Sequence, residues 1–410
     1  MYKTLVIIAV LGLCTSVFAT WERLGPYGGY IRSIEVSPSD GDLVHLTNYT
    51  YPAKIARSTD GGASWITIGE VSNYPYCYTI DPTDINKQYI GSSSRTYRST
   101  NGGVDWSSTY ISNTYFNDMI VHPTTTNILY SAGMKYVTSV WQMAFHKSTD
   151  YGVTWTSTIL HTGEYSTAYN LAIDPNDPNT IYVCGYERTA SVSYCLLYKS
   201  TDGGSSWQDI DDTFPTGRYL NSVCVHPTNS NIVYAGASSG IFRSTDAGTS
   251  WSQVATYAYN YAMTSSSSEP NVVYSGGYYD IYKSTDSGAS WTYADVGLVG
   301  KYYRGIAIHP TNTAIIYTGS DAGFFKTTNA GSNWFAYNND LNLANIGNFA
   351  VAPSSQTTIY TSQDEVGMFR STDCGSNLTI LPTPVACGNI CGIGIHNDDP
   401  DILCALEGTG

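Results

Sequence analysis

The feature that most constrains this chain is a motif of eight residues that recurs eight times. Its first copy is Ser-Thr-Asp-Gly-Gly-Ala-Ser-Trp at residues 58–65, and successive copies begin 40 to 52 residues apart. The later copies begin at Ser99, Ser148, Ser200, Ser244, Ser284, Thr327 and Ser371. Self-similarity at this period indicates a repeat architecture, and its length matches one four-stranded blade of a β-propeller.

The residue types of the motif suit a tight turn between two strands. A short acidic or amide side chain accepts hydrogen bonds from the N–H groups of its own turn, and the following glycine permits a positive φ. The closing Trp opens the next strand and packs its ring against the neighbouring sheet. We therefore expect a structural and not a catalytic role for the Asp or Asn of each copy. These residues are Asp60, Asn101, Asp150, Asp202, Asp246, Asp286, Asn329 and Asp373.

Three strand signals lie between successive copies of the motif. One is an alternating strand that ends at proline, as in Val225-His226-Pro227, and two more lead into the motif. The order is strand A, strand B, strand C, motif and strand D, which predicts an all-β propeller of four-stranded antiparallel blades. We expect about eight blades, with seven to ten possible, in one array that no linker divides. Three histidines recur at one place in different blades, so we expect them to stabilise turns and predict neither a metal nor a cofactor. They are His122, His226 and His309.

Composition agrees with this architecture and excludes some partners. Charged residues are only 13% of the chain, whereas 36 Tyr and 38 Gly favour strands and turns. A net charge of −14 argues against nucleic acid or an anionic membrane as the main partner. After the N-terminus no stretch approaches the roughly 20 apolar residues of a membrane span.

The N-terminus has the pattern of a signal peptide. Lys3 precedes an apolar run over residues 5–13, and Val17-Phe18-Ala19 fits the cleavage site. We therefore expect residues 1–19 to be removed and residues 20–410 to form a propeller that is secreted or lies at the cell surface. In an oxidising compartment, Cys184 and Cys195, and also Cys391 and Cys404, are either cross-strand disulfides or buried thiols.

The C-terminus stops within a repeat. Residues 393–396 and 402–405 supply a ninth strand A and strand B, and the chain ends at Gly410 where strand C should begin. Two interpretations follow: a last blade completed by both termini, or a chain that is truncated and continues naturally. The second is favoured because the pattern stops midway.

The repeated motif resembles the Asp box, or BNR repeat, of sialidases, sortilin-type receptors, xyloglucanases and a photosystem II assembly factor. The resemblance covers nearly all of residues 20–410 and implies that the motif lies on the rim, away from any active site. A sialidase is disfavoured because the early Arg-Ile-Pro motif is absent. A xyloglucanase implies two facing carboxylates in a cleft between two propellers, with one acid in a B–C loop before glycine. The weak candidates for these carboxylates are Asp321, Asp280, Asp364 and Glu365.

Function is expected on the opposite face, where the D–A and B–C loops meet. These loops are rich in tyrosine, and two B–C loops are long, one of which contains a Trp outside the repeat pattern. We expect a non-catalytic protein that binds a glycan, a peptide or a protein partner on this face. The alternative is a glycoside hydrolase of the xyloglucanase type. The candidate binding residues are Trp141, Tyr136, Tyr76, Tyr115, Tyr165, Tyr219, Tyr259, Tyr303 and Arg304.

Overall fold

A computed structural model describes most of the chain after residue 29. The described residues are 30–211, 214, 218–257, 259–338, 346–352, 354–363, 367–372, 379–381, 390–395, 399, 401 and 403–407. The expected signal peptide and the candidates Asp364, Glu365 and Asp373 lie outside these residues.

The strands form antiparallel sheets in chain order. The first sheet is β1 (Ile31–Val36), β2 (Val44–Asn48), β3 (Ala53–Ser58) and β4 (Ile66–Val71). The second is β5 (Pro75–Asp81), β6 (Asp84–Ser99), β7 (Ser107–Val121), β8 (Leu129–Val137), β9 (Val140–Ser148) and β10 (Thr156–Ile159). Next come β11 (Ser166–Asp174), β12 (Asp177–Arg188), β13 (Ser193–Ser200) and β14 (Gln208–Asp209), then β15 (Leu220–Val225), β16 (Val233–Ala237), β17 (Gly240–Ser244) and β18 (Ser252–Ala255). They are followed by β19 (Ala262–Ser266), β20 (Glu269–Gly276), β21 (Ile281–Ser284) and β22 (Thr292–Tyr293), then β23 (Gly305–Ile308), β24 (Ile316–Ser320), β25 (Gly323–Thr327) and β26 (Phe335–Ala336). The last two sheets are β27 (Ile346–Ala352), β28 (Ser355–Gln363), β29 (Gly367–Ser371) and β30 (Thr379–Ile380), and β31 (Ile390–Ile395) with β32 (Leu403–Glu407).

The first six sheets close into a propeller ring. Strand A of each sheet packs against the next sheet, and β23 and β24 pack against β1. The ring therefore has six blades, five of four strands and one of six, and the prediction of about eight blades, with seven as its lower limit, is wrong. The sheets β27–β30 and β31–β32 pack against each other, so the array does not form one ring through all eight repeats.

The six-stranded blade contains two repeats. Its middle strand β7 runs without interruption through the expected strand D of the second repeat and strand A of the third. The segment from Ser107 to Val121 contains neither proline nor glycine, so no residue ends the strand where a loop was expected. The direction changes only at Asn113, whose φ is 56°.

Each complete copy of the repeated motif forms the expected turn. In the first copy the Asp60 carboxylate accepts hydrogen bonds from Ser64 N (2.8 Å), Ser64 Oγ (2.6 Å) and Ser58 Oγ (2.7 Å). Gly62 has a φ of +91°, and a Cβ there would lie 2.4 Å from a ring carbon of Phe324 in the adjoining blade. The same bonding pattern recurs at Asp150, Asp202, Asp246 and Asp286, with amides in this place at Asn101 and Asn329. These side chains hold turns, as predicted.

The basic residue before five copies of the motif joins neighbouring repeats. Lys147 Nζ donates to Gly203 O (2.9 Å) in the next turn, and its ammonium lies 5.5 Å from the ring centre of buried Tyr130. We call this hydrogen bond, from the basic side chain to a backbone carbonyl group of the next repeat, the clasp. It is seen at Lys147–Gly203, Lys199–Ala247, Arg243–Ser287, Lys283–Ala330 and Lys326–Gly61. The last of these joins the end of the ring to its beginning.

Two smaller expectations have different outcomes. The histidines hold turns as predicted: His122 Nδ1 accepts from Thr125 N at 3.1 Å, and His309 Nδ1 accepts from Asn312 N at 3.2 Å. The disulfide interpretation fails for Cys184 and Cys195, because no disulfide joins these two described residues and both side chains are buried. The strand register explains this, because Cys184 lies opposite Leu197 and Cys195 lies opposite Tyr186.

Candidate functional site

The N-terminal halves of the A strands meet around the axis of the ring and enclose a cavity of about 520 Å³. These strands carry polar side chains at positions that face the centre. Polar residues of the lining are Arg32, Glu35, Asn117, Asp118, Asn170, Asn221 and Arg304, and aromatic residues are Tyr76, Tyr78, Tyr169, Tyr219, Tyr259 and Tyr261. The cavity is thus a polar chamber with tyrosines in its wall.

Two carboxyl groups of this chamber have perturbed acidities. Burial, together with the charge of Asp118, raises the pKa of Glu35 to about 8. Burial also raises the pKa of Asp118, whose carboxylate accepts hydrogen bonds from Asn170 Nδ2 (2.6 Å), Leu171 N (3.0 Å) and Met119 N (2.9 Å). At neutral pH Glu35 therefore carries a proton, which it can donate.

A continuous line of aromatic rings in mutual contact, mostly tilted or edge-on, runs along the loop face beside the chamber. We call it the aromatic belt and define it as Tyr136, Trp141, Tyr115, Tyr76, Tyr49, Tyr30, Tyr302, Tyr278, Tyr261 and Tyr259. Neighbouring rings have centroids 4.7 to 6.5 Å apart. Tyr136 and Tyr259 at its two ends are exposed, at 40% and 46%. Aromatic faces in such a line suit stacking against sugar rings.

The belt joins most of the predicted binding tyrosines. Tyr76, Tyr115, Tyr136, Trp141 and Tyr259 belong to it. Tyr165 and Tyr219 lie in a second group around Tyr186, with ring centroids 6.1 and 4.5 Å from it. The two groups share one face of the ring.

The prediction that Tyr303 binds ligand is wrong. Its side chain is wholly buried and its hydroxyl donates to Val299 O at 3.0 Å. Tyr302, with a φ of 59°, turns the chain, so the ring on the loop face is that of Tyr302. Arg304 lies where expected: its guanidinium is 4.4 Å from the ring centre of Tyr261, and its Nε donates to Tyr30 Oη at 3.2 Å.

The second long B–C loop contributes charged groups. His161 and Glu187 form an ion pair of 3.2 Å when the imidazole is protonated, and Arg188 lies 5.4 Å from the ring centre of Tyr165. Glu164 accepts a hydrogen bond from Ala190 N at 2.8 Å. These contacts fix the loop beside the second tyrosine group.

The candidate carboxylates lie near one another between two blades. Asp321 is 2% exposed and accepts from Lys301 N at 2.5 Å, whereas Asp280 accepts from Tyr282 Oη at 3.2 Å. Asp295 of the neighbouring D–A loop has a raised pKa because of burial and a hydrogen bond with Asp280. Asp280 and Asp295 therefore form a contacting pair of carboxyl groups.

Of the charged residues of the chamber, the sequence pattern pointed to Arg304 but not to Arg32, Glu35 or Asp118, and it did not point to Asp295. Arg32 and Glu35 stand in one short strand with apolar neighbours, a pattern that is also common in strands with one solvated face. The missing fact was that strands A meet at the axis, where a polar side chain faces other blades. A charge at the same early position of several A strands would have been the usable signal.

A metal-binding cluster and a membrane-spanning helix are both absent from the described residues. No cluster of three or more His, Cys, Asp or Glu side chains there has a metal-binding arrangement. Nor does the described part of the chain include a helix with the length and hydrophobicity needed to cross a membrane.

Comparisons with known proteins identify a group of relatives but not a family. No family model matches the chain. A xyloglucanase of a Paenibacillus species and one of Hypocrea jecorina are each 32% identical over 97 residues. That segment is 21% of this chain and only 9% and 12% of those proteins, so the match spans a small part of their length.

Solved structures show the same fold over more of the chain. The GH74 xyloglucanase of Xanthomonas campestris superposes with a TM-score of 0.64 at 12% identity, over 95% of this chain and 76% of that one. YCF48 bound to a D1 peptide superposes with a TM-score of 0.54 at 14% identity, over 74% of this chain and 94% of that one. YCF48 from Cyanidioschyzon merolae superposes with a TM-score of 0.53 at 12% identity, over 75% of this chain and 99% of that one. The chain thus has a β-propeller fold similar to that of glycan-hydrolysing and peptide-binding proteins.

Proposed function

We propose that this chain is a glycoside hydrolase of the xyloglucanase type, which binds an extended β-linked glucan along the aromatic belt. The belt carries the proposal, because ten rings in line offer successive stacking positions to a polysaccharide chain. A pendant sugar or a single residue would need only one or two rings. The sequence similarity to xyloglucanases supports a glucan of this kind over the peptide or protein partner that the sequence alone left open.

Hydrolysis of a glycosidic bond requires a protonated carboxyl group and a second carboxylate, which together flank the scissile bond. Asp295 is the best described candidate for the acid, since its raised pKa retains the proton nearer to neutral pH than an ordinary aspartic acid does. Asp280 is its partner on the adjoining loop.

The second candidate function is non-catalytic binding of a glycan on the same belt. It is favoured by the way the carboxyl groups are engaged: Asp321 is buried and held by Lys301 N, and Asp280 contacts Tyr282 and Asp295. Groups tied in this way stabilise loops. Both functions require the belt, but only the first requires the carboxyl groups.

The repeated turn fits the Asp box, and this assignment is part of the proposal. So is a role outside the cell, which the N-terminal pattern of residues 1–19 supports. N-terminal sequencing of the protein from a secreting host tests the second point. A mature chain that still begins at Met1 would contradict it.

The test incubates the full chain with xyloglucan, mixed-linkage β-glucan and starch, and measures reducing ends together with retardation in polysaccharide gels. Trp141→Ala should weaken retardation about threefold to tenfold, the value of one lost stacking contact. Tyr110→Ala is the matched control, because Tyr110 is 64% exposed and lies outside the belt.

Asp280→Asn and Asp295→Asn separate the two candidates. Loss of reducing-end release with unchanged retardation supports the hydrolase. Retardation without any release in the unaltered chain supports the non-catalytic binder. Neither retardation nor release on a β-glucan would refute both.

A further inference from the structure

The central chamber holds two arginine side chains that have no ion-pair partner among the described residues. Arg32 comes from β1 and Arg304 from the segment just before β23, and both line the cavity. None of the ion pairs within the described residues includes either guanidinium. Each also repels the other, since the charge of Arg304 contributes to lowering the pKa of Arg32 after burial, the larger cause.

Arg32 is also incompletely hydrogen-bonded. Its Nε is buried and has no acceptor among the described residues. The nearest aromatic ring, that of Tyr49, has its centre 5.9 Å from the guanidinium carbon. A half-buried cation with a fully buried donor that lacks an acceptor is costly and calls for an explanation in terms of a ligand or ion.

Arg304 is held in place by its surroundings. Its Nε donates to Tyr30 Oη, and its guanidinium lies 4.4 and 5.3 Å from the ring centres of Tyr261 and Tyr302. These contacts fix the plane of the guanidinium and use only one of its nitrogens. The terminal nitrogens remain available for a bidentate contact.

The acidic groups that face the arginines do not neutralise both of them. Asp118 interacts electrostatically with Arg32 alone of the two, and it is already engaged by three N–H donors, two of them from strand β11. Glu35 is protonated at neutral pH because its pKa is about 8. The amide Nδ2 of Asn221 is a further buried donor without an acceptor in the described structure. The chamber therefore has an excess of positive charge and of hydrogen-bond donors.

We propose that the chamber binds the carboxylate of an acidic sugar, a uronate carried by the glycan that lies on the belt. The planar guanidinium fork matches a carboxylate in two parallel hydrogen bonds, and the wall tyrosines offer faces for the sugar ring. A cavity of about 520 Å³ is large enough for a monosaccharide, since ligand pockets span roughly 300–1,000 Å³. The sugar part of this inference rests on the proposed function.

The test titrates the full chain with sodium glucuronate, glucose and sodium sulfate by isothermal calorimetry and saturation-transfer NMR. Glucuronate should bind at least tenfold more tightly than glucose and than sulfate. Arg32→Gln and Arg304→Gln should each weaken glucuronate at least tenfold, whereas exposed Arg95→Gln should not change it. Circular dichroism checks the fold of each variant, and Arg304→Lys, which keeps the charge but not the fork, replaces any variant that fails to fold.

The outcomes separate this inference from the proposed function. Glucuronate that binds no better than glucose or sulfate overturns the inference, and if xyloglucan retardation persists, the proposed function stands. Glucuronate binding without xyloglucan retardation supports the chamber and refutes the proposed function. A peptide that binds through its free C-terminus, while glucuronate does not, overturns the inference in favour of a peptide ligand.

Discussion

The indole Nε1 of Trp65 donates a hydrogen bond of 2.9 Å to the carbonyl oxygen of Tyr337, which is 272 residues away in sequence. In the next repeat Trp106 instead bonds to Gly103 of its own turn at 2.8 Å. Four other motif tryptophans make the local bond: Trp155, Trp207, Trp251 and Trp291. Trp65 also packs on Phe324, with ring centroids 4.8 Å apart. This tryptophan therefore joins the two ends of the ring.

Replacing Trp65 by Phe should destabilise the protein by about 1–3 kcal/mol, because the Tyr337 carbonyl group loses its donor and a cavity opens. Urea unfolding measures the loss. Hydrogen exchange should rise in both β1 and β26, although they are far apart in the chain. Trp251→Phe is the matched control, since Trp251 is similarly buried but bonds locally to Gly248. Equal exchange patterns in the two variants would contradict a closing role.

The turn carboxylates should make the stability of the ring fall in strong acid. Hydrogen bonds from Ser206 and Ser250 lower the pKa of Asp202 and Asp246, respectively, to about 2. A depressed pKa in the folded state gives stability that is complete above the ordinary pKa near 3.8 and is lost as pH falls through 2. Asp246→Asn should therefore flatten the dependence of the melting temperature on pH between 2 and 4. The reciprocal change Asn329→Asp should steepen it, and no change in either slope would argue against these bonds.

Glu35 should make the protein less stable as pH rises. Its pKa is raised from 4.5 to about 8, so the folded state binds an extra proton between these values, and the stabilisation present below 4.5 is lost through pH 8. Glu35→Gln, which mimics the protonated side chain, should be more stable than the unaltered chain at pH 9, by at most about 5 kcal/mol. Urea unfolding at pH 5, 7 and 9 measures this. Glu70→Gln on the exposed surface is the control, and a parallel pH dependence in all three proteins would refute the burial of Glu35.

Cys184 and Cys195 should react as free thiols once the protein unfolds. Their register offset keeps the two sulfur atoms from bonding to each other, and burial raises the pKa of the Cys195 thiol to about 12, which slows alkylation in the folded state. Iodoacetamide treatment in urea without a reductant, followed by peptide mapping, should find both residues alkylated. Recovery of one peptide cross-linked through these two cysteines would contradict the structure.

Much of the fold followed from the sequence because the repeat is local. The turn is stabilised by its own residues, so an acidic or amide residue followed by glycine, as at Asp60 and Gly62, predicts the turn in each copy. Blade number is different, because it depends on the angle at which neighbouring sheets pack. It also depends on whether a segment such as 107–121 bends. Neither quantity is encoded in a count of motifs.

The site was predictable in its aromatic part and not in its charged part. Tyrosines at a fixed distance before each strand A occupy equivalent positions in successive blades and therefore lie near one another. Only Tyr303 was predicted on the wrong side of a turn. Arg32 and Asp118 come from strands that are distant in sequence. Their proximity results from ring closure, which no short-range pattern encodes.

The clasp between Lys326 and Gly61 is chemically the same as the clasp between Lys147 and Gly203. The contact of Phe324 with Trp65 likewise repeats that of Phe145 with Trp207, with 4.8 Å between centroids in both. The interface between the last and first blades of the ring therefore uses the same contacts as an interior interface. The position at which the chain begins is not marked by a different kind of contact. A circular permutant of residues 30–338, in which residue 338 is linked to residue 30 and the chain begins at another D–A loop, should form the same six-bladed ring. A repeat added at either end of such a chain by gene duplication would use the existing interface between repeats.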